Sequence, residues 1–111
     1  MTQMLNIPHL HNVYFSLKDT SSEATQSLLD DCKTYLSAQA GVVSFSCGVL
    51  ESGLDRPVND RDFDVSLHIL FETRADHDAY QIDEQHEIFI ERNKDNWAGV
   101  RVFDTVIKSK K

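Results

Sequence analysis

Two stretches of this chain alternate their side chains with a period of two, and in each of them both faces carry apolar residues. That pattern demands a sheet covered on both sides. From His9 to Lys18, His9, His11, Val13, Phe15 and Leu17 share one face, and Leu10, Asn12, Tyr14, Ser16 and Lys18 share the other. From Phe63 to Thr73, Phe63, Val65, Leu67, Ile69 and Phe71 point one way, against Asp64, Ser66, His68, Leu70 and Glu72. The first face is apolar apart from its two histidines and calls for a helical layer. The second mixes Leu10, Tyr14 and Leu70 with Ser16, Ser66 and His68, which is too much apolar surface for open water. A second sheet packing on it would satisfy such a face, and a twofold homodimer is the simplest source of that sheet.

The segments between supply helices and two more strands. Residues 1–8 read as a loose lead-in ending at Pro8. Thr20-Ser21-Ser22-Glu23 has the form of a capping box and predicts a helix to about Gln39, with Ala24, Leu28, Cys32, Tyr35 and Leu36 as its buried stripe and Gly41 as its stop. Val42 to Glu51 predicts a strand with Val43, Phe45, Cys47 and Val49 on one face. Ser52 to Asp62, with Gly53, Pro57 and Asn59-Asp60, predicts a loop; its charged run from Asp55 to Asp62 reads as a solvated hairpin. Residues 75–97 are helical in two pieces, one through Tyr80 and one from Glu84 to Trp97, the latter with Ile82, His86, Phe89, Ile90 and Trp97 on its apolar side. Val100 to Ile107 is the last strand, after Gly99.

The order is β-α-β-β-α-β, the split βαβ or ferredoxin-like pattern of an α+β domain. A four-stranded antiparallel sheet with helices on one face is expected, pairing into a dimeric α/β barrel. At 111 residues the chain has room for one domain, with its core over about residues 9–107. A net charge of −7 argues against nucleic acid or an anionic membrane surface as partner. Positive charge clusters only in the tail Lys108-Ser109-Lys110-Lys111. No apolar run approaches the roughly 18 residues of a membrane span. The N-terminus lacks the basic and apolar regions of an export signal. Cys32 and Cys47 have neither a disulfide framework nor a CxxC spacing, so buried free thiols in a reducing cytoplasm are expected.

Several of these segments, taken in order, resemble a known family. They are His9-Leu10-His11-Asn12-Val13-Tyr14-Phe15-Ser16-Leu17-Lys18, Asp64-Val65-Ser66-Leu67-His68-Ile69-Leu70-Phe71-Glu72-Thr73, the helix from Tyr80 to His86, and Trp97 to Val102-Phe103-Asp104. Over residues 9–107 the chain resembles the stress-responsive dimeric α/β-barrel (Dabb) domain, within the wider dimeric α+β barrel superfamily. The resemblance implies homodimers of ferredoxin-like subunits. Most members have no assigned reaction, plant members are linked to stress, and one plant branch is a cofactor-free polyketide cyclase performing an intramolecular aldol condensation. Carried over by motif, the working residues of that branch fall on His11, His86 and Tyr80. This sequence departs from it before the helix histidine, where Asp83-Glu84-Gln85 replaces a His-Pro-type turn.

The residues permit the same chemistry on their own terms. His11 lies on the apolar strand face and His86 on the apolar helix face, and these faces must pack together. A neutral imidazole can take a proton near neutral pH. Two imidazoles and the Tyr80 hydroxyl in one layer could abstract a proton α to a carbonyl and stabilise the enolate oxygen. His86 would then be the base and His11 the group that positions or polarises the carbonyl, with Tyr80 at the rim. The same pattern also fits histidines satisfied inside a core. His9-x-His11 has a spacing that metals use, but the sequence names no third ligand, so no metal site is assigned. His68 is expected on the interface face. His77, flanked by Asp76 and Asp78, is expected at the surface or an interface. Asn93 and Trp97 lack the histidine arrangement of haem-degrading barrels, and no nucleotide loop or Ser-His-Asp spacing is present. Two readings follow. One is a small-molecule-binding or stress-associated homodimer taking an apolar carbonyl-containing ligand, and the other is a cofactor-free lyase or cyclase.

Overall fold

The alternating stretch that begins at His9 forms the centre of the molecule. A computed structural model describes residues 7–109; residues 1–6 of the lead-in and Lys110 and Lys111 of the basic tail lie outside the described residues. In chain order the elements are β1 (His9–Leu17), α1 (Ser22–Leu36), β2 (Val42–Val49), β3 (Val65–Phe71), α2 (Arg74–Gln81), α3 (Glu84–Asn93), a 3₁₀ turn (Lys94–Asn96) and β4 (Trp97–Val106). The strands form one sheet in the order β2-β3-β1-β4, with every neighbouring pair antiparallel. This is the expected ferredoxin-like α+β arrangement, its second helix divided in two. Among the described residues no helix is long and apolar enough to cross a membrane.

Burial follows the alternation. Along β1 the odd residues from His9 to Leu17 are all buried and the even ones are half-buried. Val65, Leu67, Ile69 and Phe71 of β3 are at most 1% exposed, and Leu28, Cys32 and Leu36 of α1 close over them with Tyr80 and Phe89. Burying each such large side chain contributes about 1.5–3 kcal/mol. Helix α1 starts where Ser21 Oγ accepts the Ala24 N–H at 3.2 Å. Asp31 on its buried side accepts from Arg92 Nε at 2.8 Å and Asn93 Nδ2 at 3.0 Å, which ties α1 to α3.

Five local expectations are corrected. Helix α1 ends at Leu36 rather than near Gln39; Gly41, with φ +84°, makes the turn into β2 and does not cap the helix. A bulge between Val42 and Ser44 turns Val43 outward, so Val42 packs on the core with Phe45 and Cys47, and Val49 at the strand end is exposed as well. Phe63 precedes β3 and crosses to the other face, where its ring lies 5.0 Å from that of Tyr14. Ile82 caps α2 and is 79% exposed, because the chain breaks there between the two helices. Trp97 opens β4 instead of closing α3, although its ring still reaches the core, 5.1 Å from Phe15.

Among the described residues no helix covers the second sheet face. Tyr14 stands at its middle, edge-on to Phe63, Phe103 and His68. His68 Nδ1 donates to Asn12 Oδ1 at 2.8 Å and its Nε2 accepts from Ser66 Oγ at 3.0 Å, which matches a neutral ring; burial holds its pKa below the ordinary histidine value. From the long β2–β3 loop, Asp60 pairs with Arg101 of β4 at 2.8 Å. Phe103 is half exposed here.

Candidate functional site

On the helical side of the sheet, β1 brings in His9 and His11, and the register sets Asp104 of β4 opposite His11. Two helix caps place the rest. Thr73 Oγ1 accepts the Asp76 N–H at 3.2 Å and starts α2; Asp83 Oδ2 accepts the Gln85 N–H at 2.8 Å and starts α3. The last turn of α2, with Tyr80, therefore meets the first turn of α3, with His86. The two ring centroids are 4.6 Å apart, and Tyr80 is 5.6 Å from His11 on its other side.

His11, Tyr80 and His86 line one cavity of about 330 Å³, together with His77, Asp104 and an apolar wall that includes Val13, Leu67, Phe89 and Val102. Tyr80 is 2% exposed and lies between the two imidazoles, not at the rim. Burial holds His86 below the ordinary histidine pKa, with His11 and His77 adding to the effect and Asp83 and the Gln81 carbonyl opposing it. Burial also lowers His11, against the pull of its hydrogen bond to Asp104. It pushes the Tyr80 phenol up, so that group stays protonated. For Asp104, burial would raise the carboxyl, but hydrogen bonds from His11 and His9 outweigh it and the net shift is downward. Among the described residues, His86 Nδ1 and Trp97 Nε1 are buried with no hydrogen-bond partner of good geometry. A neutral imidazole beside a protonated phenol, in a largely apolar cavity, can accept a proton and stabilise an oxyanion.

His77 is not the surface or interface histidine expected. It is buried, its ring 4.5 Å from that of His9 and 4.9 Å from that of His11. Asp76 and Asp78 obscured it, but its i, i+3 spacing from Tyr80 already placed it on the inward side of α2. Asp104, placed by the sequence only within the last strand, was not picked out as a site residue. Its signal was a lone carboxylate in a strand whose same-face neighbours are Val100, Val102 and Val106.

An antiparallel sheet with one helical layer and a histidine-lined cavity beneath it defines a ferredoxin-like subunit of the α/β-barrel class. The sequence profile of the Stress Responsive A/B Barrel Domain matches residues 10–107, and the chain belongs to this Dabb family. A Dabb family protein with a ferredoxin-like fold from Mesorhizobium loti is similar at 25% identity, covering 93% of this chain and 99% of its own, with TM-score 0.76. A dimeric ferredoxin-like protein of unknown function from Thermobifida fusca is similar at 13% identity, covering 92% of each chain, with TM-score 0.75. The hydroxynitrile lyase of Passiflora edulis shares the fold at 16% identity, covering 95% of this chain and 97% of its own, with TM-score 0.75. None of the curated proteins compared matches the sequence.

Proposed function

We propose that this protein is a cytoplasmic homodimer that binds a small, largely apolar, carbonyl-containing molecule between β1, β4 and the α2–α3 pair. One observation carries this reading. The cavity of about 330 Å³ is walled mainly by apolar side chains, yet His86 Nδ1 is buried there without a hydrogen-bond partner of good geometry among the described residues. Leaving such a group unpaired costs about 1–3 kcal/mol, and a ligand oxygen or hydroxyl would supply the missing bond. The volume suits a compact ligand, at the small end of the about 300–1,000 Å³ range of such sites. The homodimer is supported by the half-apolar face around Tyr14 and by the dimeric character of the Thermobifida fusca relative. The unpaired cysteines suit a reducing compartment.

The test is a thermal-shift and NMR titration with small cyclic ketones and aromatic aldehydes. The wild-type protein should melt higher and shift resonances near His86, while His86→Ala should respond to none of them. A flat wild-type response across the panel would count against the pocket.

A second reading, a cofactor-free aldol-type lyase or cyclase, is favoured by the Tyr80–His86 contact. His86 would remove the α-proton, His11 would position the carbonyl, and Tyr80 would donate to the enolate oxygen. The enolate carbon then bonds to an acceptor carbonyl, whose alkoxide takes back the proton. At 16% identity the likeness to the Passiflora edulis lyase speaks for the fold, so this reading stands on the residues. Solvent deuterium entering the α-position of bound ketones faster with wild type than with His86→Ala is the expected sign. Exchange at the buffer rate rules the reading out.

A further inference from the structure

Where α2 meets the ends of β1 and β4, three imidazoles and one carboxylate converge. Each of His9, His11, His77 and Asp104 offers a ligating atom, and these atoms all lie within 4.8 Å of one another. Asp104 Oδ1 is 2.7 Å from His11 Nδ1, 3.0 Å from His9 Nε2 and 3.7 Å from His77 Nε2. The histidines are buried, while Asp104, on the outermost strand, keeps access to solvent.

The outer contacts of His77 add a second, independent observation. Its Nδ1 lies 3.0 Å from Asp78 Oδ1, and Arg74 Nε holds that same oxygen at 2.8 Å. A carboxylate there takes the Nδ1–H and leaves the Nε2 lone pair turned inward, as carboxylate–histidine pairs do behind bound metals. His77 Nε2 and Asp104 Oδ1 then face each other as two acceptors, a repulsion that a cation between them relieves. The Gln81 amide, 3.3 Å from Nε2, competes for the same lone pair. Among the described residues His9 Nδ1 is buried with no partner, so no hydrogen bond among them holds the ring in one tautomer from that side.

We propose that His9, His11, His77 and Asp104 bind one zinc-class divalent ion. Three imidazoles and a carboxylate match the ligand types and the fourfold coordination that Zn²⁺ takes. With metal–ligand bonds of about 2.0–2.2 Å, neighbouring ligand atoms should stand about 3.3 Å apart. The His11–Asp104 pair must therefore open slightly, which Asp104 on the edge strand can do, and the widest pair, between two of the imidazoles on β1 and α2, must close by up to about 1.5 Å through rotation of those rings. His9 and His11 give up their hydrogen bonds to Asp104 and ligate as neutral rings, each proton passing to the other ring nitrogen. The ion would tie α2 and β4 to β1 beside the cavity. This inference goes beyond the ligand-pocket reading and does not need His86 or Tyr80.

The experiment is calorimetric titration of Zn²⁺ into tag-free protein stripped with EDTA, with melting curves alongside. One saturable site per chain and a higher Tm are expected, with no Tm change in Mg²⁺, whose hard octahedral preference does not suit imidazoles. His77→Gln and Asp104→Asn should abolish binding with unchanged circular dichroism, and Asp78→Asn should weaken it at least about ten-fold. His68→Gln, on the far face, should bind as wild type. Should His77→Gln fail to fold, the solvent-accessible Asp104→Asn and Asp78→Asn decide alone. If Asp104 merely collects imidazole N–H groups, wild type takes up no Zn²⁺ and the proposal falls. It falls equally if Asp104→Asn and Asp78→Asn bind as tightly as wild type.

Discussion

Tyr80 and His86 stand edge to face with their ring centroids 4.6 Å apart, although they belong to different helices. The contact exists because α2 stops at Gln81 and Asp83 restarts the chain as α3. A continuous helix would place residues six apart on different sides of its axis.

Replacing His86 with alanine separates function from packing. His86 is only half-buried and its Nδ1 has no partner of good geometry among the described residues, so little native hydrogen bonding is lost. Urea unfolding should show a loss under about 1 kcal/mol, while ligand response disappears. A loss of about 1–3 kcal/mol with ligand response intact would mark His86 as a core residue only.

Association is expected through the Tyr14 face. Sedimentation should show a dimer at micromolar concentration, and Tyr14→Asp should give a monomer or an unfolded chain, since Phe63, Phe103 and His68 all pack on that ring. A wild-type monomer throughout would end the dimer reading.

Mild acid should destabilise the fold. His68 and His86 both have folded pKa values below their ordinary 6.5, chiefly through burial. The unfolded chain then binds more protons than the folded one in the window below 6.5, so stability rises with pH there. Stability should be full above pH 6.5 and fall as pH drops from 6.5 towards the folded values. His11, lowered as well by burial, adds to the same dependence, so His68→Gln and His86→Gln should be compared with wild type. A midpoint in urea that stays level from pH 7 to pH 5 contradicts this.

The cysteines should behave as separate thiols. Cys32 is fully buried, and burial pushes its thiol far up, so a thiol reagent should label it only after unfolding. Melting curves with and without reductant should coincide. A large loss of stability on reduction would reveal a disulfide.

At Gly41 the backbone sits at φ +84°, and an added Cβ would run into the Asp76 side chain in the first turn of α2. Gly41→Ala should cost about 1–3 kcal/mol in urea unfolding. Gly48→Ala, where a Cβ meets open space, serves as the control.

The sheet was legible from the sequence because burial on β1 and β3 is set by a period of two, which the residues display. The same rule failed at Val43, where one bulge residue reverses every facing before it, and at Trp97, whose apolar ring suits a helix or a strand equally. His11, Tyr80 and His86 could be placed on inward faces, and the structure brings all three to one cavity. Convergence of His77 and Asp104 was harder to see. It depends on the pairing of β4 with β1 across more than ninety residues, and no local periodicity records that.

Among the described residues β4 joins the sheet through β1 alone, yet Val100, Val102 and Asp104 form part of the cavity wall. An outermost strand opens more readily than a central one, because only one ladder of hydrogen bonds holds it. A guest enclosed behind β4 would therefore leave no faster than that ladder parts, and its residence time would follow amide exchange along the strand. Gly99→Ala, which adds a methyl group into open space on β4, would lengthen that residence without touching the guest.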